Sequence, residues 1–304
     1  MRRTAIAALL VGGLFVTACG DDDDDTADAP SDSAGPVETA APGDTSPPDE
    51  GGGACADGKT LTPDVLTIAT GEPAFEPWVV GDAPESGEGF EAAIAYAVAR
   101  EMGFPEDQVT WVRTTFDEAI QPGAKNFDFN LQQYSITAER AASISFSEPY
   151  YSSNQAIVAL AGSPAEGATS LADLKDVKFG AQAGTTSLGF ITDVIQPDAE
   201  PFVYDDNVGA KAALEADQID AIVVDLPTAL FISAVEIEGS SVVGQFPAAA
   251  GGTTDDFGLV FELDNPLIEC ADAALAALRD SGELQEITDE WLVTADVAPV
   301  IEVG

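Results

Sequence analysis

From Val65 onward the chain alternates short β-rich runs with stretches of helical period, and few architectures can absorb that alternation. "VLTIAT", residues 65–70, reads as a buried strand; "FEAAIAYAVAREM" then sets Phe90, Ile94, Ala97, Val98 and Met102 on one helical face; "VTWVR" returns to strand. Further strands are predicted at "VKFGAQA", "AIVVD" and "FGLVFE". Helices are predicted near residues 186–194, 208–216, 227–235 and 266–281, with "ELQEITDEWL" as a last amphipathic one. Sustained over about 240 residues, the pattern predicts an α/β chain in two lobes rather than one, and periodicity alone does not locate the crossings between them. No internal repeat is visible. The 304 residues, 45% of them hydrophobic, suffice for a sizeable core.

The chain ahead of this body is of a different kind. "MRRTAIAALLVGGLFVTACG" has Arg2 and Arg3, an apolar run from Ala5 to Val16 and small residues before Cys19, the pattern of a secretory signal over residues 1–18 and too short for a permanent membrane span. "VTAC" resembles the lipobox of bacterial lipoproteins, in which the cysteine is lipidated and becomes the mature N-terminus; Cys19 is the expected anchor. No second apolar run of 18 residues follows. Residues 20–58, dense in Asp, Pro, Gly and Ser, bury too little apolar surface to offset their ordering entropy, which predicts a disordered acidic tether reaching roughly 35 Å or more. With Cys19 assigned to lipid, Cys55 and Cys270 remain, and an even remainder in an exported protein points to a disulfide between them.

Composition excludes several functions. With 54 acidic and 11 basic residues the net charge is −43, which repels nucleic acid and anionic lipid surfaces. There is no histidine, so Ser-His-Asp and Cys-His catalysis and histidine metal sites are excluded. "GDDDDD" lacks the spaced ligands of a calcium loop and reads as a solvated acidic run. No Gly-rich phosphate loop appears, and nothing calls for a cofactor or a metal. Three stretches remain. "GAQAGTTS", residues 180–187, runs from strand through a glycine turn into a helix, where Thr185, Thr186 and Ser187 either cap the helix or join its N–H groups in binding an anion. "IDAIVVDLPTAL" ends a strand on Asp225, placed equally well for a helix cap or a binding position. "FDFNLQQYSITAERAASISFSEPYY", residues 127–151, holds a single cation, Arg140.

"GFEAAIAYAVAREMG", "YSITAERAASISFSEPYYSS", "SLADLKDVKFGAQAGTTS" and "ADQIDAIVVDLPTAL", in this order, resemble the family 3 extracellular solute-binding proteins, the amino-acid receptors of ABC importers, over about residues 66–292. The resemblance implies a hinged two-lobe periplasmic-binding fold of type II, with residues 59–155 and 250–304 in one lobe, 156–249 in the other and the ligand in the cleft between them. It implies that Arg140 grips the ligand's α-carboxylate with Ser135 and Thr186 beside it, that Asp225 receives the α-ammonium, and that Phe75 and Phe116 sandwich the ligand's side chain. It further implies a membrane permease with a cytoplasmic ATPase as partner, a monomeric receptor and an extracytoplasmic location. A planar guanidinium and a helix start suit a carboxylate physically. The chain departs from many relatives at Gln132 and Gln133, whose amides can reach a polar ligand side chain, and at Gly71 and Glu72, where many relatives carry an aspartate before the aromatic residue. Two rivals accompany this reading: a dehydratase of cyclic acids built on the same superfold, with a carboxylic acid in the cleft as general acid and Glu72 as one candidate for it, and a sensory ligand-binding protein without transport.

Overall fold

The structure is a computed structural model and describes residues 53–248, 252, 254–292 and 298–303. The signal segment, Cys19 and the tether up to residue 52 lie outside them. The tether's expected last residues are ordered: Gly53–Ala56 form one helical turn, Ala56 is buried in the core, and Cys55 is bonded to Cys270 with the Cα atoms 5.8 Å apart. The cross-link and the packing of Ala56 overcome a composition that reads as disordered on its own.

Two sheets organise the rest. The first runs β2–β1–β3–β11–β4 from β1 (Leu66–Gly71), β2 (Val109–Thr114), β3 (Phe129–Asn130), β4 (Ser145–Phe146) and β11 (Val260–Phe261). Within it β1 is parallel to β2 and β3, while β11 is antiparallel to its neighbours. Every residue of β1 is buried, as expected of a strand covered on both faces. Its core joins Leu66, Ile68 and Phe129 to the apolar face of α1 (Phe90–Glu101) and to Leu275 and Leu278 of a C-terminal helix, Ile268–Ser281.

The second sheet contains β5 (Tyr151–Leu160), β6 (Phe179–Gln182), β7 (Phe202–Tyr204), β8 (Ala221–Asp225), β9 (Ser240–Phe246) and β10 (Thr254–Phe257). Alternation along β5 and β8 sends Ile157 and Val223 into one core and Val158 and Ile222 into another, so helices cover both faces. The predicted single run "FGLVFE" is divided: Phe257 ends β10, Val260 opens β11, and the chain changes sheet between them. The predicted helices at 186–194 and 227–235 open as α-helix, Thr186–Phe190 and Leu226–Phe231, and then loosen into π-helical turns.

β5 and β10, antiparallel with Phe257 opposite Tyr151 and Thr254 opposite Asn154, carry the chain between the lobes. Their first-lobe ends pack Tyr151 and Phe257 against Trp78. Residues 298–303, which the resemblance assigned to the first lobe, lie on the second sheet: Val300 bridges Gln245, Glu302 bridges Ser170 and Ile301 is fully buried.

Candidate ligand-binding cleft

Phe75, Phe116, Gln133, Ser135, Arg140, Thr186 and Asp225, all singled out in the sequence, line one cleft together with Gln132, Gln155, Gln182 and Asn207. Glu72 does not: it is exposed and outside the lining, so the chemistry suggested for it has no site.

In the first lobe, Phe116 opens the short helix α2 (Phe116–Ile120), which Thr115 and Glu118 start with a capping box. Its ring stacks on Tyr134, centroids 4.6 Å apart, and carries the Arg140 guanidinium 5.4 Å above its centroid. Arg140 is only 9% exposed. It donates from one nitrogen to the Ser135 carbonyl at 2.8 Å and from another to the Gly184 carbonyl at 2.9 Å. Among the described residues no carboxylate lies within 4 Å of it. Burial draws its pKa down against the opposing pull of Tyr134, Asp255, Glu139 and Asp117.

Gln133 adopts the left-handed conformation, φ 51°, and a buried glutamate at the start of α1 holds it there. Glu91 accepts from the Gln133 backbone N–H at 2.7 Å, from its side-chain amide at 2.6 Å and from the Tyr150 hydroxyl. Burial pushes the Glu91 pKa up to about 7 despite those hydrogen bonds. Sequence reasoning missed Glu91. Its one signal was a charge inside the apolar run "GFEAAIAYA", which also reads as an ordinary acid in the first turn of a helix.

In the second lobe, "GAQAGTTS" divides its two readings between neighbouring residues. Thr185 is the plain cap: its hydroxyl accepts from the Leu188 N–H at 3.2 Å and donates to the Gln182 carbonyl at 2.7 Å. Thr186 faces the cleft, its hydroxyl 3.1 Å from that of Ser135. Gly184 makes the turn with φ 70°, and a Cβ there would stand 2.7 Å from Asp117 of the other lobe. Asp225 does cap its helix, accepting from the Thr228 N–H at 2.9 Å and its hydroxyl at 2.8 Å. Burial outweighs those bonds and pushes its pKa up to about 6. Gln155 also lines the cleft, and its Oε1 is buried with no hydrogen-bond partner among the described residues.

The model for bacterial extracellular solute-binding proteins, family 3, matches residues 66–294, which is most of the chain and all of the cleft. The chain belongs to that family. Among its relatives, an arginine-binding periplasmic protein of Mannheimia haemolytica is 30% identical over 239 residues, covering 77% of this chain and 94% of its own. An ABC transporter arginine-binding protein 1 of Escherichia coli (strain K12) is 29% identical, covering 67% and 81%. Two solved structures match in fold: an ancestral arginine-binding protein bound to arginine, 29% identical with a TM-score of 0.62 over 75% of this chain and 98% of that one, and one bound to glutamine, 27% identical with a TM-score of 0.63 over 76% and 98%.

In this family 3 protein the lobes touch directly through side chains. Besides the Arg140–Gly184 and Ser135–Thr186 contacts, the Trp78 indole N–H donates to the Thr228 hydroxyl at 2.8 Å, on the same residue that Asp225 holds. Lys211 of the second lobe sits 5.1 Å from the centroid of Phe75. No helix among the described residues is long and apolar enough to cross a membrane, and none of their acidic or cysteine clusters could hold a metal ion.

Proposed function

We propose that the protein is the receptor of an ABC importer, binding an amino acid between its lobes and presenting it to a membrane permease. One observation carries this reading: Arg140, a buried guanidinium with no carboxylate partner among the described residues, shares a cleft with Asp225, a half-buried carboxylate with no cationic partner among them. Stranding two opposite charges apart in a dry cleft is costly in each case, and a zwitterion spanning them relieves both. Arg140, with the Ser135 and Thr186 hydroxyls, takes the α-carboxylate; Asp225 takes the α-ammonium; Phe75 and Phe116 pack on the side chain. The relatives' names, all amino-acid-binding proteins, support the ligand class. The dehydratase reading loses Glu72, its one named candidate acid, which is exposed and outside the cleft lining.

The remaining assignments extend the same reading. Cys19 carries lipid and holds the protein outside the cytoplasm on its tether; the receptor acts as a monomer; and β5 with β10 forms the hinge between the lobes. A thermal-shift screen of the purified protein against the L-amino acids at 1 mM (a concentration on the order of a weak Kd) tests the function. A rise in Tm with at least one α-amino acid, absent with the corresponding N-acetylated compound, is expected. No response to any amino acid would overturn the reading.

A further inference from the structure

The cleft carries information on the ligand's side chain that the relatives' names do not. We propose that it selects a neutral carboxamide side chain, that of glutamine, over a cationic one, with Gln132 as the specificity-determining residue. This rests on the amino-acid reading above and goes a step beyond it.

Three observations converge. First, with Asp225 committed to the ammonium, no other carboxylate among the described residues lines the cleft. The nearby buried acid, Glu91, spends its oxygens on Gln133 and Tyr150 and is screened from the ligand by Gln133. Asp255 accepts from the Gln155 side-chain amide at 2.6 Å and lines the adjoining pocket with Arg140, at the carboxylate end of the cleft. A guanidinium or ammonium side chain directed at the Gln132 wall would lose its water and meet no carboxylate among the residues lining the cleft there.

Second, the wall beside the aromatic residues is a carboxamide held in place. Gln132 is only 9% exposed, its Oε1 is 3.0 Å from the Tyr134 hydroxyl, and its Nε2 lies against the backbone of Gly71. A Cβ on residue 71 would stand 2.5 Å from that Nε2 and 2.9 Å from the Pro73 carbonyl, so glycine there is what leaves the amide its place. A carboxamide offers a donor and an acceptor and no charge, the complement of another carboxamide. The unpaired Oε1 of Gln155 adds a further acceptor in the same cleft.

Third, both aromatic walls already carry a cation. The Lys211 ammonium, held by Glu236 at 2.6 Å, lies 5.1 Å from the Phe75 centroid, and the Arg140 guanidinium lies 5.4 Å from that of Phe116. A cationic side chain between these rings would compete with like charges for the same electron-rich faces. A flat neutral amide stacks there without that conflict.

Isothermal titration of the purified protein with L-glutamine, L-arginine and L-glutamate at pH 7.5 tests the inference. Glutamine is expected to bind at least tenfold more tightly than either of the others. Arginine or glutamate binding as tightly as glutamine, or another amino acid found by screening binding more tightly, overturns the selectivity and leaves the amino-acid reading standing; no binding by any amino acid overturns both. In Gln132→Glu, arginine should gain at least tenfold and glutamine should lose; an unchanged ranking in a folded variant overturns the role of Gln132. Should that variant not fold, Gly71→Ala, which displaces the Gln132 amide from its place, must weaken glutamine at least tenfold, and a loss under threefold likewise overturns it.

Discussion

Replacing Arg140 by alanine removes the only guanidinium that lines the cleft among the described residues, and the structure sets the size of the effect. In the wild type the guanidinium is almost fully buried, is oriented by the Ser135 and Gly184 carbonyls and is backed by the Phe116 ring. Two donors fixed on carbonyls leave the others of the fork for a carboxylate, so the ligand meets a preorganised partner. Losing one member of such a desolvated pair costs about 2–5 kcal/mol of binding. At 1.4 kcal/mol per decade that is roughly thirtyfold to several thousandfold in Kd. Arg140→Lys keeps the charge but offers a point donor that cannot hold both carbonyls and grip a carboxylate in two places, so most of the loss should persist. The unliganded fold should change little, because the two hydrogen bonds given up are offset by removing a buried, uncompensated charge. Calorimetry gives the affinities and circular dichroism the fold. Arg140→Ala binding within threefold of wild type, with its spectrum intact, would refute the argument and show that another group holds the carboxylate.

Other consequences follow from the acids and the cysteines. Glu91 has its pKa raised from 4.5 to about 7 by burial, so the unfolded chain ionises first as pH rises and folding stability falls through that window by about 3 kcal/mol from this group, with Asp225 adding in the same direction below about pH 6. Urea melts at pH 5 and pH 7 should therefore show the protein more stable at pH 5, and Glu91→Gln should remove about 2–3 kcal/mol of the difference; an undiminished difference would assign it to other groups. Mass spectrometry of an unreduced digest should recover Cys55 joined to Cys270; at a sequence separation of 215 the chain-entropy model gives that link about 5 kcal/mol, so Cys55→Ser should lower Tm, and two free thiols would contradict the pairing. Labelling cells with a radioactive fatty acid should mark the wild type and not Cys19→Ala, which should also be released from the membrane, because two acyl chains hold a protein where one is marginal.

The sequence was most informative where a residue's type and its setting disagree. Arg140 stood out as the single cation in a run of small and aromatic residues, and Asp225 as a charge closing an apolar strand, and both reach the cleft. Strands covered on both faces, such as "AIVVD", were legible to the residue because continuous apolar runs have no other use at that length. β5 was missed: "YSSNQAIVAL" is polar where it crosses between lobes and apolar only where it enters the second sheet, so neither half repeats with period two long enough to register. β3 and β4, two residues each, carry no periodic signal. Glu91 and Trp78 were invisible for a different reason. Their partners, Gln133 and Thr228, lie 42 and 150 residues away, and only the folded chain brings them together.

The balance between an open and a closed cleft turns on these same contacts. The hydrogen bonds that cross it, Ser135 to Thr186, Trp78 to Thr228 and Arg140 to the Gly184 carbonyl, end on neutral acceptors; the first two are worth about 0.5–1.5 kcal/mol each net of the water they displace, and the charged Arg140 donor about 1.5–3 kcal/mol. Against them stands the desolvation of Arg140 and Asp225, both of which burial pushes toward their neutral forms. On the proposed reading, a zwitterion shifts that balance by cancelling both desolvation costs at once, and only when the lobes are together, since Arg140 lies on one side of the cleft and Asp225 on the other. A ligand with one charged end would relieve one cost and leave the other, so closure itself tests for both groups of an amino acid before its side chain is read.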